Sequence, residues 1–224
     1  MNYDRRTFLV QAGAGIALSS ATPGIAVASG SGHAPLDAKG ALATLMEGNA
    51  RFVADKAPCP HLTARRMEIA QGQHPFVTIL ACADSREGLE TIFNQIPGNI
   101  FAIRVAGNIV ERGGRGSIEY SLEHLNVPLV LVLGHSHCGA VEATLAFLKD
   151  GTKQPGDIQY LVDTIVPAVK GTPDIANAVA ANVRASVAAV KKQSAIVAEA
   201  SASGKVVVVG GVYDLESGKV TLLS

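Results

Sequence analysis

Residues 76–86 read FVTILACADSR, an apolar run that ends in a cysteine, an aspartate and an arginine. A run without polar alternation is typical of a strand that is buried on both faces of a parallel sheet. Similar runs occupy residues 100–105, 129–133 and 206–209. Because stretches with helical spacing separate these runs, the sequence predicts an α/β domain with a mostly parallel central sheet of four strands.

Weaker signals surround the four predicted strands. Residues 219–223 follow a Glu-Ser-Gly turn and predict one more short strand at an edge of the sheet. Apolar residues at helical spacing predict an N-terminal helical arm over 36–56 and 63–70. Further helices are predicted over 89–95, 117–125 and 141–148, and as a long pair over 158–200. Since no repeat or linker interrupts residues 29–224, we predict that they form one domain.

Composition excludes several classes of function. The chain has 224 residues, 48% of them hydrophobic, and a formal net charge of +0. This balance gives no general attraction to nucleic acid or acidic lipid, and no basic stripe with interleaved aromatic residues occurs. Three cysteines are too few for a disulfide scaffold of this size and favour metal or thiol chemistry.

Residues 1–28 differ in character from the rest of the chain. Arg5 and Arg6 precede a short apolar stretch, and Ala26-Val27-Ala28 has the small-x-small pattern of a cleavage site. This order predicts a cleaved signal peptide of the twin-arginine type, and therefore export to the periplasm without membrane attachment afterwards. An uncleaved membrane anchor and a chance arginine pair before a disordered tail are the alternatives.

Two groups of reactive residues follow predicted strands. Cys82 comes directly after the first strand, and residues 134–139, which read GHSHCG, follow the third. Because ligands bind at the carboxyl ends of parallel strands, we expect Cys82, His135 and Cys138 to converge there on a Zn²⁺ ion. Taken singly, the cysteine could be a small core residue and the histidine an ordinary loop residue. Three ligands leave the fourth zinc position open, as in catalytic sites.

Asp84 and Arg86 stand beside the first ligand. Arg86 can clamp the Asp84 carboxylate in a two-pronged fork and keep it ionised. A weak surface ion pair is the alternative for an arbitrary pair at this spacing. Next to a zinc site, the carboxylate can accept the remaining hydrogen bond of a metal-bound water. The residues alone therefore predict attack by metal-bound hydroxide on a small electrophile.

The pattern C-x-D-x-R followed by H-x-x-C resembles the β-class carbonic anhydrases. The likeness extends over roughly 36–223, with family-like blocks at 72–75, 99–101, 104–108, 117–120, 134–141 and 211–220. It implies reversible zinc-dependent hydration of carbon dioxide to bicarbonate and a proton, with one Zn²⁺ per subunit on Cys82, His135 and Cys138. It also implies that Asp84 pairs with Arg86, or binds the metal itself in a closed state.

The resemblance implies further site residues and an assembly. Gln73 matches a glutamine whose amide polarises the substrate, Phe101 and Tyr120 match apolar pocket positions, and the Gly139 amide lies beside the substrate. Members of the family are dimers or larger, with active sites near the dimer interface, so the resemblance implies a homodimer or homotetramer here. Glu87 departs from the pattern, because many members have an apolar residue there, and we expect it to add a charge near the site entrance.

Two other functions remain open at this point. Relatives hydrolyse carbonyl sulfide or carbon disulfide on a nearly identical metal site, so pocket width decides between these substrates and carbon dioxide. A non-catalytic protein with a structural zinc is the second alternative. Such a site has no need of Asp84, Arg86 or Gln73, which are all present.

Overall fold

The structure is a computed structural model that describes residues 36–58 and 62–224. The predicted signal peptide, residues 1–28, lies outside the described residues. Within them, no helix is both long and apolar enough to cross a lipid bilayer.

A five-stranded sheet forms the centre of the fold. Its strands lie in the order β2-β1-β3-β4-β5; the first four are mutually parallel, and β5 runs antiparallel to β4 at one edge. This confirms the predicted four-stranded parallel sheet with an added edge strand. The strands are β1 (Val77–Ala81), β2 (Ile100–Arg104), β3 (Leu129–His135), β4 (Val207–Tyr213) and β5 (Val220–Leu223).

Two strands are longer than their apolar runs, because both continue through glycines. A Cβ atom on Gly134 in β3 would lie 2.5 Å from a methyl group of Val183, and one on Gly210 in β4 would lie 2.8 Å from the same side chain. The glycines therefore let a helix lie directly on the sheet at this point. As a result β3 ends at His135, so that this residue belongs to the strand rather than to the loop after it.

Helices cover the sheet and connect its strands. They are α1 (Ala38–Val53), α2 (Leu62–Ile69), α3 (Leu89–Ile92), α4 (Arg112–Leu125), α5 (Gly139–Asp150), α6 (Ile158–Val169), α7 (Ile175–Gln193) and α8 (Ala195–Ala202), with a 3₁₀ turn at Ala106–Asn108.

The predicted long pair of helices over 158–200 is wrong, because three helices occupy this region. Ser194 has an extended backbone and ends α7. Its hydroxyl then accepts a hydrogen bond from the Val197 amide at 3.2 Å, which caps the first turn of α8. A single serine in an alanine-rich stretch thus divides a segment that helical periodicity alone predicts as one continuous helix.

The two faces of the sheet carry separate apolar layers. Ile79 packs with α1 and α3 on one face, whereas its neighbour Leu80 packs with α4, α7 and α8 on the other. All five residues of β1 are buried, as the apolar run predicts. The N-terminal helical arm is confirmed, and Asn49 fixes α1 by accepting a hydrogen bond from the Val220 amide at 2.9 Å.

Candidate metal centre

Three ligand side chains meet at the carboxyl end of the sheet. Cys82 follows β1, His135 ends the neighbouring strand β3, and Cys138 immediately precedes α5. Their sulfur and nitrogen atoms all lie within 4.8 Å of one another, and all three residues are buried. The predicted convergence is therefore present in the structure.

The orientation of the His135 ring suits a metal ligand. Its Nδ1 atom lies 2.9 Å from the Ser136 carbonyl oxygen, to which a protonated Nδ1 donates a hydrogen bond. That tautomer leaves a lone pair on Nε2, which is buried without a hydrogen-bond partner among the described residues. A buried polar atom without a partner is costly, and a metal ion bound to it removes the cost.

The two cysteines also fit a cation. Contact with the Cys138 thiol lowers the pKa of Cys82 despite burial. The same contact and burial raise the pKa of Cys138, because a second thiolate cannot form unaided beside the first. A divalent cation between the sulfurs offsets that repulsion, so this donor set fits Zn²⁺.

Asp84 and Arg86 form the predicted fork. The Arg86 guanidinium donates to the two carboxylate oxygens of Asp84 at 2.9 and 2.6 Å, and the Arg86 amide adds a bond at 2.9 Å. These bonds hold the pKa of Asp84 well below its usual range. Asp84 Oδ2 also lies 3.9 Å from His135 Nε2, so the ionised carboxylate faces the metal position.

Arg104 supports the loop that carries these residues. It ends β2, where it pairs in register with Ala81, and its guanidinium donates to the carbonyl oxygens of Cys82, at 2.9 Å, and of Asp84. One side chain thus holds both a metal ligand and the adjacent carboxylate in place. Arg104 belongs to a family-like block of the sequence but had no predicted role. Its position near the end of a predicted strand was the signal that could have placed it beside the metal ligands.

Glu87 corrects one expectation. It does not lie at the site entrance but is completely buried, and neither carboxylate oxygen has a hydrogen-bond partner in the part of the chain that the structure describes. The Glu87 amide donates to the Asp84 carbonyl, so the backbone turns there and carries the side chain inward. Burial raises the pKa of Glu87 to about 8, which leaves the carboxyl group mostly protonated at neutral pH.

Gly139, by contrast, lies beside the ligands as expected. It is the first residue of α5, next to Cys138. A Cβ atom added at Gly139 would meet no described atom within 4 Å. Gly139 therefore borders open space on the side where a side chain would lie.

The remaining predicted residues do not join the metal centre within one chain. Phe101 pairs with Thr78, four residues before Cys82, which places it roughly 13 Å back along the sheet at the usual rise per residue. Tyr120 stacks on Phe101 with ring centroids 6.1 Å apart and is 47% exposed. Gln73 is exposed and precedes β1, at the end opposite Cys82.

Comparison with known proteins agrees with this geometry. The family model described as "Carbonic anhydrase" matches residues 77–220. The chain belongs to the carbonic anhydrase family. It is 39% identical over 184 residues to "Carbonic anhydrase 2" of Mycobacterium tuberculosis, covering 80% of this chain and 89% of that protein. It is also 37% identical over 186 residues to a carbonic anhydrase of Mycolicibacterium smegmatis, covering 80% and 90%.

Solved structures place the chain in the β class of the family. A Coccomyxa β-carbonic anhydrase, solved with acetazolamide, is 29% identical with a TM-score of 0.63, over 81% of this chain and 86% of that one. A β-carbonic anhydrase of Sordaria macrospora, described as tetrameric, is 25% identical with a TM-score of 0.65, over 82% and 96%. The fold, the zinc-binding cluster and the relatives thus agree on a carbonic anhydrase.

Proposed function

We propose that this carbonic anhydrase catalyses the reversible hydration of carbon dioxide at one Zn²⁺ per subunit, held by Cys82, His135 and Cys138. The single observation that carries the proposal is the buried Nε2 atom of His135, which has no hydrogen-bond partner in the described part of the chain and lies beside two cysteine sulfurs, facing an ionised carboxylate. When bound, zinc supplies an acidified water as the nucleophile.

The protein's own residues orient this chemistry. Asp84 stays ionised because Arg86 donates to both of its oxygens. An ionised carboxylate can accept hydrogen bonds but cannot donate them, so Asp84 fixes the direction in which the nucleophile's proton points. Gly139 contributes an amide at the positive end of α5, where an anionic product such as bicarbonate is favoured. Asp84 and Arg86 are therefore assigned as catalytic residues, and direct binding of Asp84 to the metal belongs to a closed state.

Gln73, Phe101 and Tyr120 are assigned to the substrate pocket of a neighbouring subunit. They lie at the opposite end of β1 from Cys82 in their own chain, so one subunit cannot use them at its own metal centre. The exposed Tyr120 ring suits an interface of this kind. A homodimer, or a homotetramer built from such dimers, would complete each site.

The test of the activity is stopped-flow hydration of carbon dioxide by the zinc-loaded chain, with carbonyl sulfide hydrolysis measured on the same sample. We expect hydration far above the uncatalysed rate and little sulfide release. Faster turnover of carbonyl sulfide would instead support the sulfur substrates. Bound zinc with neither activity would support a structural metal site.

Residues 1–28 are proposed to act as a cleaved twin-arginine signal peptide, with residues 29–224 as the mature enzyme in the periplasm. The sequence order described above supports this, from the Arg5-Arg6 pair to the Ala-x-Ala site. Sequencing the N-terminus of the protein recovered from the periplasm tests it. We expect Ser29 as the first residue, and we expect the protein to stay inside the cell when both arginines are replaced by lysine. A soluble protein that still begins with Met1 would contradict a cleaved signal peptide.

A further inference from the structure

The amide of Gly107 donates a hydrogen bond to one of the metal ligands. It lies in the 3₁₀ turn after β2, and its N–H is 3.2 Å from the sulfur of Cys82. Gly107 has a φ of 71°, in the left-handed region that favours glycine. A Cβ atom there would also lie 2.7 Å from Ile165 and 3.1 Å from the Ala140 methyl group. The turn is therefore tightly enclosed, and its direction decides whether the amide reaches the sulfur.

The Asn182 side chain holds the other side of this turn. It lies on α7, is only 3% exposed, and donates from Nδ2 to the Gly107 carbonyl oxygen at 2.8 Å. Its neighbours on the buried face of α7 include the apolar side chains of Val179 and Val183. An amide in such a place is costly unless its hydrogen bonds are made, so the contact with Gly107 accounts for a polar residue there.

We infer that Asn182 is a positioning residue of the metal centre, which fixes the Gly107 turn so that its amide donates to the Cys82 sulfur. This inference rests on the proposed zinc site. The hydrogen bond withdraws charge from the sulfur and so weakens its donation to the metal. Thiolate ligands otherwise oppose the acidification of water on zinc, and the amide offsets part of that effect.

The experiment uses cobalt as a probe, because Co²⁺ in place of zinc gives a sulfur-to-metal charge-transfer absorption. We compare the full chain with its Asn182→Ala and Asn182→Asp variants, neither of which can donate to the Gly107 carbonyl in the same way. Ser186→Ala is the matched control, since Ser186 is a buried polar residue one turn further along α7. Circular dichroism confirms that each protein is folded. A further variant, Asn182→Gln, restores a hydrogen-bond donor on a longer side chain.

We expect the absorption of both variants to move to longer wavelength, because a sulfur without its hydrogen bond gives up charge more readily. Carbon dioxide hydration by the zinc forms falls about tenfold, the usual size of such supporting contacts, and its pH midpoint rises. The control stays at the wild-type values, and Asn182→Gln lies between wild type and Asn182→Ala. A purely structural role would lower thermal stability without moving the absorption or the pH midpoint.

Two results separate failure of this inference from failure of the zinc site. Folded Asn182 variants with the wild-type absorption and pH midpoint would overturn the role of Asn182 alone. A wild-type protein that binds Co²⁺ without any sulfur-to-metal absorption would overturn the ligand set itself.

Discussion

The Nε2 atom of His135 and the Oδ2 atom of Asp84 lie 3.9 Å apart. The other ring nitrogen, Nδ1, bonds to the Ser136 carbonyl oxygen, so Nε2 is the atom that is free to bind a metal. The Asp84 carboxylate therefore faces the metal position. Arg86 also binds this carboxylate, and its Nη2 atom lies 2.6 Å from the same Oδ2 atom. A site that only needed to bind zinc would have no use for this arrangement, which is why the pair distinguishes a catalytic centre from a structural one.

Replacing the carboxylate tests this directly. In Asp84→Asn the side chain keeps its size but gains a donor and loses its charge, so it no longer fixes the nucleophile's proton. We expect carbon dioxide hydration to fall by about a hundredfold or more, as for loss of a positioned proton-handling group, while zinc content stays near one per chain. Asp150→Asn, at an exposed aspartate away from the site, is the control and should be neutral. Full activity in Asp84→Asn would refute the role of the pair.

Arg104 should matter for the metal rather than for the reaction itself. In Arg104→Gln the shorter side chain loses the bonds to the Cys82 and Asp84 carbonyl oxygens, which frees the loop between them. We expect zinc affinity to fall between tenfold and about a hundredfold, measured by competition with a chelating dye. Arg115→Gln removes an exposed bond to Gln193 and should leave affinity unchanged. Equal affinities in both variants would show that the loop holds its shape without Arg104.

Glu87 should make the stability of the protein depend on pH. Its folded-state pKa of about 8 lies above the ordinary 4.5, so the folded protein retains a proton that the unfolded chain loses. The contribution is complete below about pH 4.5 and is lost as pH rises through 8. Glu87→Gln cannot ionise, so the difference in free energy of unfolding between the variant and wild type should favour the variant by roughly 3–5 kcal/mol more at pH 8.5 than at pH 4, since each unit of pKa difference is worth about 1.4 kcal/mol.

Urea unfolding of the zinc-loaded proteins at both pH values measures this difference. Glu90→Gln is the matched control, because Glu90 is exposed three residues further on and should show no gain that grows with pH. A constant difference between Glu87→Gln and wild type from pH 4 to pH 8.5 would mean that Glu87 has the same pKa in the folded and the unfolded chain, so that burial does not raise it.

Subunit mixing tests whether the pocket is shared. Cys82→Ser destroys the metal centre, and Gln73→Ala destroys the pocket, so each protein alone should be nearly inactive. In a mixed dimer, the intact metal centre of one chain meets the intact Gln73 of the other. Unfolding and refolding the two together should therefore restore about a quarter of wild-type activity, since half of randomly formed dimers are mixed and each has one complete site. No recovery would place Gln73 and Cys82 in the same site of one chain.

The sequence predicted the metal centre because its signals are local and its geometry follows from topology. An apolar run identifies β1, and parallel neighbours must end at the same edge, so Cys82 and His135 meet without any further information. Glu87 could not be placed in this way, because one backbone turn after Asp84 decides whether its side chain faces solvent or core.

Other features of the structure depend on contacts between distant residues. Gly134 and Gly210 look like strand breakers until Val183 is seen to pack against both. Asn182 lies in an alanine-rich helix, and its role depends on the hydrogen bond to Gly107, 75 positions earlier in the chain. Phe101 and Tyr120 were assigned to the pocket by resemblance, and only the strand register shows how far they lie from Cys82 in the same chain.

Metal reconstitution coupled to the hydration assay shows whether the activity depends on zinc at this site. The chain is stripped with a chelator, zinc is added back in steps, and the rate of carbon dioxide hydration is recorded against bound metal. We expect activity to rise in proportion to zinc and to saturate at one ion per chain, and we expect Cys138→Ser to show neither tight binding nor activity. A catalytic zinc would be refuted by a stripped chain that keeps its full rate, or by a chain with one zinc that hydrates carbon dioxide no faster than buffer.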